Sequence, residues 1–146
     1  MIKLFTIGSY AADEIVANRS FAAFGFSERQ VRDINESTVN DIPFPEDSQV
    51  SVCRSTIQGR GVFSSINYKQ DDFIAPMQLN GKRTPAGRFC NHSYSPNARA
   101  VLLINCDVIL SSLTDIKAGD EIVIHYGDFL AQHFDMAEQL ARTREN

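Results

Sequence analysis

Between Ser48 and Tyr126 the apolar residues come in short runs, with glycine, proline, asparagine, aspartate or serine recurring between them. Such punctuation predicts short strands joined by turns rather than long buried helices. Val50 and Val52, followed by Gly59-Arg-Gly-Val-Phe63, predict strand, turn and strand, and Asp72–Ala75 predicts another short strand. The stretch Pro76–Gly87 holds Asn80-Gly81 and Pro85 and reads as a loop or hairpin. Arg99–Leu113 is rich in Val, Leu and Ile but breaks at Asn105-Cys-Asp107, which predicts a second hairpin. Lys117–Asp120 reads as a turn, and Glu121–Tyr126 as a β-branched strand. Leu130, Phe134, Ala137, Leu140 and Ala141 recur at helical spacing, so the chain should close with a helix, capped by Asp128. The fold class that follows is mainly β with helices (α+β), without βαβ alternation.

Residues 1–48 differ in texture and read as an N-terminal extension packed on a second unit, residues 49–146, that includes the closing helix. Ile2–Ile7 predicts a strand and Asp13–Phe24 a helix. Ser27 with Gln30 forms a capping box for a short helix bearing Val31 and Ile34. Asp41–Asp47, with two prolines, predicts an extended connector.

Length and charge narrow the function. A chain of 146 residues holds one hydrophobic core. The net charge of -4, with no basic stripe, argues against direct nucleic-acid binding. No apolar run reaches the length of a membrane span, and the weakly apolar start from Met1 to Gly8 reads as a strand, so an intracellular, cytoplasmic protein is expected. For a viral or secreted effector the host cell nucleus is the corresponding site. The three cysteines, Cys53, Cys90 and Cys106, contain no C-x-x-C pair, which predicts neither disulfides nor structural zinc. Cys53 and Cys106 read as buried hydrophobes, and His92, His125 and His133 show no metal-ligand spacing.

Three segments carry chemistry. Gln58-Gly-Arg-Gly-Val-Phe-Ser64 places two glycines around one residue, which suits a plain hairpin turn or a close backbone approach to a ligand. Arg88-Phe-Cys-Asn-His-Ser-Tyr-Ser-Pro-Asn97 sets a polar Asn-His-Ser triplet beside Phe89 and Cys90, two anchors suited to the core. A polar cluster on a buried anchor is what a ligand pocket needs. Ala118-Gly-Asp-Glu-Ile-Val-Ile-His-Tyr-Gly-Asp128 feeds a turn into a strand. Alternation there puts Ile122, Ile124 and Tyr126 on one face and Val123 and His125 on the other, so Tyr126 and His125 should not enter one pocket. Tyr126 also suits a core position with a satisfied hydroxyl.

In this order the three segments resemble the SET-domain protein-lysine methyltransferases, over roughly residues 50–130. The resemblance implies a SET/β-clip fold of short sheets with a C-terminal pseudoknot, which would bring Asn91-His92 beside Tyr126. It implies S-adenosylmethionine as cofactor, with the backbone around Gly59, Arg60 and Gly61 on its methionine part, Asn91 on its amino or carboxylate end, and His92 along the adenine. Tyr126 would line the lysine channel as the catalytic residue, and Phe129 or Phe134 would close the pocket in place of a cysteine-rich zinc segment. The partner would be a protein presenting a lysine. A homodimer could complete the site, with residues 1–48 as a candidate groove wall. The chain departs from the family at Phe73-Ile-Ala-Pro-Met77, which has no tyrosine, so Tyr68 and Tyr94 are the candidates for a second channel tyrosine. The family's variable insert is cut to roughly Pro76–Gly87.

Methyl transfer from a sulfonium requires a neutral amine but no dedicated general base, which fits a chain without an acid–base pair. A Cys90 nucleophile with His92 is disfavoured, because residues two apart in a tight loop meet only in unusual geometry. The standing alternative is a SET-fold protein without catalysis, serving as a binding or scaffold module.

Overall fold

Asn80 and Gly81 both adopt left-handed backbone, with φ of 52° and 77°. That pair of values makes the tight hairpin turn that matches strand twist, and it joins β3 (Phe73–Leu79) to β4 (Lys82–Arg83). The computed structural model describes residues 41–145, apart from several side chains of the last helix, among them His133, Phe134, Ala137, Leu140 and Ala141. The strand and helices expected within the first 40 residues lie outside the described residues.

Two four-stranded sheets form the frame. One has the order β1-β2-β8-β5, from β1 (Val50–Arg54), β2 (Arg60–Ser64), β8 (Glu121–Ile124) and β5 (Asn91–His92). The other has the order β4-β3-β7-β6, with β6 (Ala98–Leu102) and β7 (Val108–Ser112) forming the hairpin expected around Asn105-Cys-Asp107. The architecture is mostly β with few helices, an α+β arrangement. Val62, Ile122 and Ile124 of the first sheet pack with Met77, Val108 and Leu110 of the second, all fully buried. Each such side chain contributes about 1.5–3 kcal/mol by leaving water. No helix among the described residues is long and apolar enough to cross a membrane.

Two helices complete the described residues. Helix α1 (Pro85–Phe89) starts with Pro at its first position, where the missing N–H costs nothing. Thr84 caps it: the buried Oγ1 accepts from the Gly87 N–H at 3.3 Å and donates to the Pro76 carbonyl at 2.7 Å. Thr84→Ala removes both bonds and is expected to lower unfolding free energy by about 1–2 kcal/mol, while Thr84→Ser retains most of it. The urea midpoints of the two variants test this. Helix α2 (Tyr126–Glu145) crosses the edge of β6, where Gln132 accepts from the Leu102 N–H at 2.9 Å and donates to the Ala100 carbonyl at 2.8 Å. One side chain thus pairs an open strand edge.

The connector expected at Asp41–Asp47 is described, and its first residue is anchored. The Asp41 carboxylate pairs with Arg83 and Arg88, and the Ile42 N–H bonds the Arg83 carbonyl. Burial, with Arg88 nearby, lowers the Arg83 pKa, and Asp41 opposes that shift.

Four expectations need correction. The last strand ends at Ile124, not Tyr126, and Asp128 sits within the first turn of α2 instead of capping it. Cys53 is exposed, because β1 is an edge strand of its sheet. Cys106 is only partly buried, because it occupies the β6–β7 turn with φ of 70°.

Candidate functional site

Strand β5 is two residues long, yet it pairs in parallel with β8, Asn91 opposite Val123 and His92 opposite Ile124. Three further contacts hold this register. The Ser93 N–H donates to the Ile124 carbonyl at 2.8 Å. Asn97 donates from Nδ2 to the Glu121 carbonyl at 2.8 Å and accepts at Oδ1 from the Val123 N–H at 2.9 Å. The side chain of Asn97 therefore bonds β8 as a neighbouring strand would. The polar segment Asn91–Asn97 is bound along the last strand, which itself lies between β2 and β5. That is the strand neighbourhood a pseudoknot of these segments requires.

Asn91 joins this segment to the glycine turn. Its Nδ2 donates toward the Gln58 and Arg60 carbonyls, both at 3.1 Å, and toward Glu121 Oε2 at 2.9 Å. Three acceptors around an NH₂ group fix which way the amide points. Its Oδ1 is buried without a hydrogen-bond partner among the described residues. A buried acceptor left in that state costs about 1–3 kcal/mol unless a donor arrives.

The two glycines of the turn serve different needs. Gly59 has φ of 45°, with open space where a side chain would stand. Gly61 is crowded: a Cβ there would meet Glu121 Cδ at 2.8 Å and Asn91 Nδ2 at 3.2 Å. Glu121 fills the place of the missing side chain, and Ser55 Oγ donates to its Oε1 at 2.7 Å. Sequence reasoning passed over Glu121 and Ser55. The available signal was an acid on a strand that must pass a glycine-flanked one.

On the other side of the polar segment stands an aromatic group. The buried ring of His92 contacts Tyr94 at 4.6 Å, His125 at 4.8 Å and Tyr126 at 5.1 Å between centroids, all edge-on. The expected separation of His125 from Tyr126 fails, because the chain leaves the strand at Ile124 and both rings then reach the same imidazole. His92 Nδ1 accepts the Tyr126 N–H at 3.0 Å, and His125 Nδ1 accepts the Asp128 N–H at 3.2 Å. Two imidazoles thus satisfy N–H groups that the start of α2 leaves open. An accepting Nδ1 assigns the proton of each neutral ring to Nε2.

The buried Tyr126 hydroxyl donates to the Cys90 carbonyl at 2.8 Å. Phenol and carbonyl therefore lie together, one residue before Asn91. The Cys90 thiol is fully buried and faces the Ile122 carbonyl at 3.4 Å. Burial, with Glu121 second, pushes its pKa far above the ordinary thiol range, so it has no thiolate to act as nucleophile.

The glycine turn, Asn91, His92 and Tyr126 thus converge through direct hydrogen bonds. Arg60 contributes its carbonyl to Asn91. Phe129 is packed into the core. The side chain of Phe134 lies outside the described residues. Tyr94 is brought to the His92 ring, whereas Tyr68 bonds the Gln49 carbonyl and bridges Ile116. The segment Pro76–Gly87 is the end of β3, the Asn80-Gly81 turn, β4 and the start of α1.

Residues 75–127, which span the polar segment and the last strand, match the family model of the SET domain. No curated protein matches the chain. A Plasmodium falciparum candidate histone methyltransferase is similar in structure, with 25% identity, 56% of this chain and 95% of that chain covered, and a TM-score of 0.48. A humanized mutant of the Chaetomium thermophilum Polycomb Repressive Complex 2 bound to an inhibitor is similar with 18% identity and a TM-score of 0.47, covering 56% of this chain and 15% of that chain.

Proposed function

We propose that the chain, which matches the SET-domain family model over residues 75–127, transfers a methyl group from S-adenosylmethionine to a lysine of a protein substrate. The observation that carries the proposal is the buried, unpartnered Oδ1 of Asn91, set against a turn whose backbone approaches closely. An acceptor of this kind fits the ammonium of an amino-acid group.

S-Adenosylmethionine, when bound, supplies an electrophilic methyl on a sulfonium. The residues of this chain do the rest. Asn91 and the backbone from Gly59 through Gly61 would hold the methionine part, and His92 would border the adenine. Tyr126 acts as the catalytic residue by positioning. Its hydroxyl donates to the Cys90 carbonyl at 2.8 Å, which fixes the direction of the phenol O–H, and a phenol oxygen held in this way would orient the substrate amine. An amine held by its N–H groups would keep its lone pair available as the nucleophile. Deprotonating a lysine at neutral pH costs roughly 4–5 kcal/mol. Burial of the amine in the site beside the bound cofactor would lower that cost by disfavouring the ammonium, and the proton would be lost to water. Orientation of the amine supplies several further kcal/mol.

Incubation of the full chain with methyl-labelled S-adenosylmethionine and a lysate is expected to label lysine in a discrete protein band, located by mass spectrometry. Cofactor binding without any transfer would instead support a non-catalytic SET-fold binding module, to which the compact hairpin at Asn80-Gly81 would be suited.

A further inference from the structure

We infer that Glu121 is a positioning residue that sets the Asn91 amide so that its oxygen receives the ammonium of the cofactor. The inference rests on the cofactor reading above and adds a residue to it. The two N–H bonds of Nδ2 face three acceptors, and the shortest contact, 2.9 Å, is to the Glu121 carboxylate. Rotating the amide by half a turn would set Oδ1 against two carbonyls and a carboxylate, so that orientation is closed. A charge-assisted bond is roughly twice as strong as a neutral one, which makes Glu121 the dominant restraint on the amide.

Glu121 is itself held. Ser55 Oγ fixes Oε1, and the absence of a side chain on Gly61 makes room for the carboxylate. The amide donates to an anion on one end and presents a bare oxygen on the other. Polarisation through the amide makes Oδ1 a better acceptor, and the negative charge behind it favours a cationic donor over a neutral one. Asn91 Oδ1 is buried and has no hydrogen-bond partner among the described residues, so a donor brought to it would satisfy the one open acceptor of the amide. The chemistry that fits is a primary ammonium.

The test uses two ligands that differ in this group. S-Adenosylhomocysteine carries the ammonium, and 5′-methylthioadenosine lacks the whole amino-acid end. Calorimetric titration of the full chain and of Glu121→Gln is expected to show a roughly tenfold weaker Kd for S-adenosylhomocysteine, equal to about 1.4 kcal/mol, and no change for 5′-methylthioadenosine. A merely structural Glu121 would weaken both ligands alike, and that result overturns the assignment, as does no change in either. Ser55→Ala, which frees one carboxylate oxygen, should give a smaller loss for S-adenosylhomocysteine alone. This second variant decides the matter if Glu121→Gln does not fold, since equal affinities there also overturn it. Wild-type protein that binds neither ligand overturns the cofactor reading and this assignment together.

Discussion

Tyr126→Phe is expected to lower kcat by about 10²-fold while leaving affinity for S-adenosylhomocysteine unchanged. The size follows from losing orientation at the reacting centre, where misplacement by about 1 Å costs that much. The ring itself should stay in place. Its backbone N–H remains bonded to His92 Nδ1, and its ring still packs edge-on against that imidazole at 5.1 Å. Only the hydroxyl is lost, together with its bond to the Cys90 carbonyl. That carbonyl is then left buried and unpaired, and unfolding free energy should fall by about 1–3 kcal/mol. The two effects separate the two roles a buried tyrosine can have. A protein that loses stability and keeps full turnover has a core tyrosine at this position and no catalytic one. Single-turnover rates and denaturant midpoints on the same preparation decide between them.

The fold was legible wherever the signal was local. Asn80-Gly81 specifies its own hairpin because both residues tolerate left-handed backbone, whereas Asn105-Cys-Asp107 marks the β6–β7 turn through Asn105, whose Oδ1 accepts the Asp107 N–H at 3.0 Å. The chemistry of the Asn91–Asn97 segment was legible as a dense polar run on the anchor Cys90. The end of the last strand was not legible. Ile122-Val-Ile124 promises continued extension, and what stops it is His92 taking the Tyr126 N–H from 34 residues away. The prediction that His125 and Tyr126 diverge failed for the same reason, since alternation holds only while the strand lasts.

Glu121 was missed on similar grounds. Next to Asp120 it reads as one more solvated acid of a turn, but its partners Ser55 and Asn91 come from two other stretches of chain. Gly61 was legible as a site of close approach, whereas the group that approaches was not. A sequence records that space is needed, and only the fold says which atom uses it.

Gly61→Ala tests that arrangement most directly, because the added methyl meets no backbone objection at this position. Gly61 does not adopt left-handed φ, in contrast to Gly59 at 45°. The whole cost therefore comes from contact: the new carbon would stand 2.8 Å from Glu121 Cδ and 3.2 Å from Asn91 Nδ2. The carboxylate has to withdraw, which breaks its bonds to Ser55 and Asn91 and releases the amide that aims Oδ1. Overpacking of this kind costs about 1–3 kcal/mol of stability. Affinity for S-adenosylhomocysteine should fall by about 100-fold, or about 2.7 kcal/mol, since both the turn and the amide are disturbed. Gly59→Ala provides the contrast, with nothing within 4 Å of its added carbon. It should cost about 1–2 kcal/mol of backbone strain and leave the Asn91 bonds intact. If the two alanine variants lose affinity equally, or if Gly61→Ala binds as wild type does, the packing of Glu121 against this turn does not govern ligand capture.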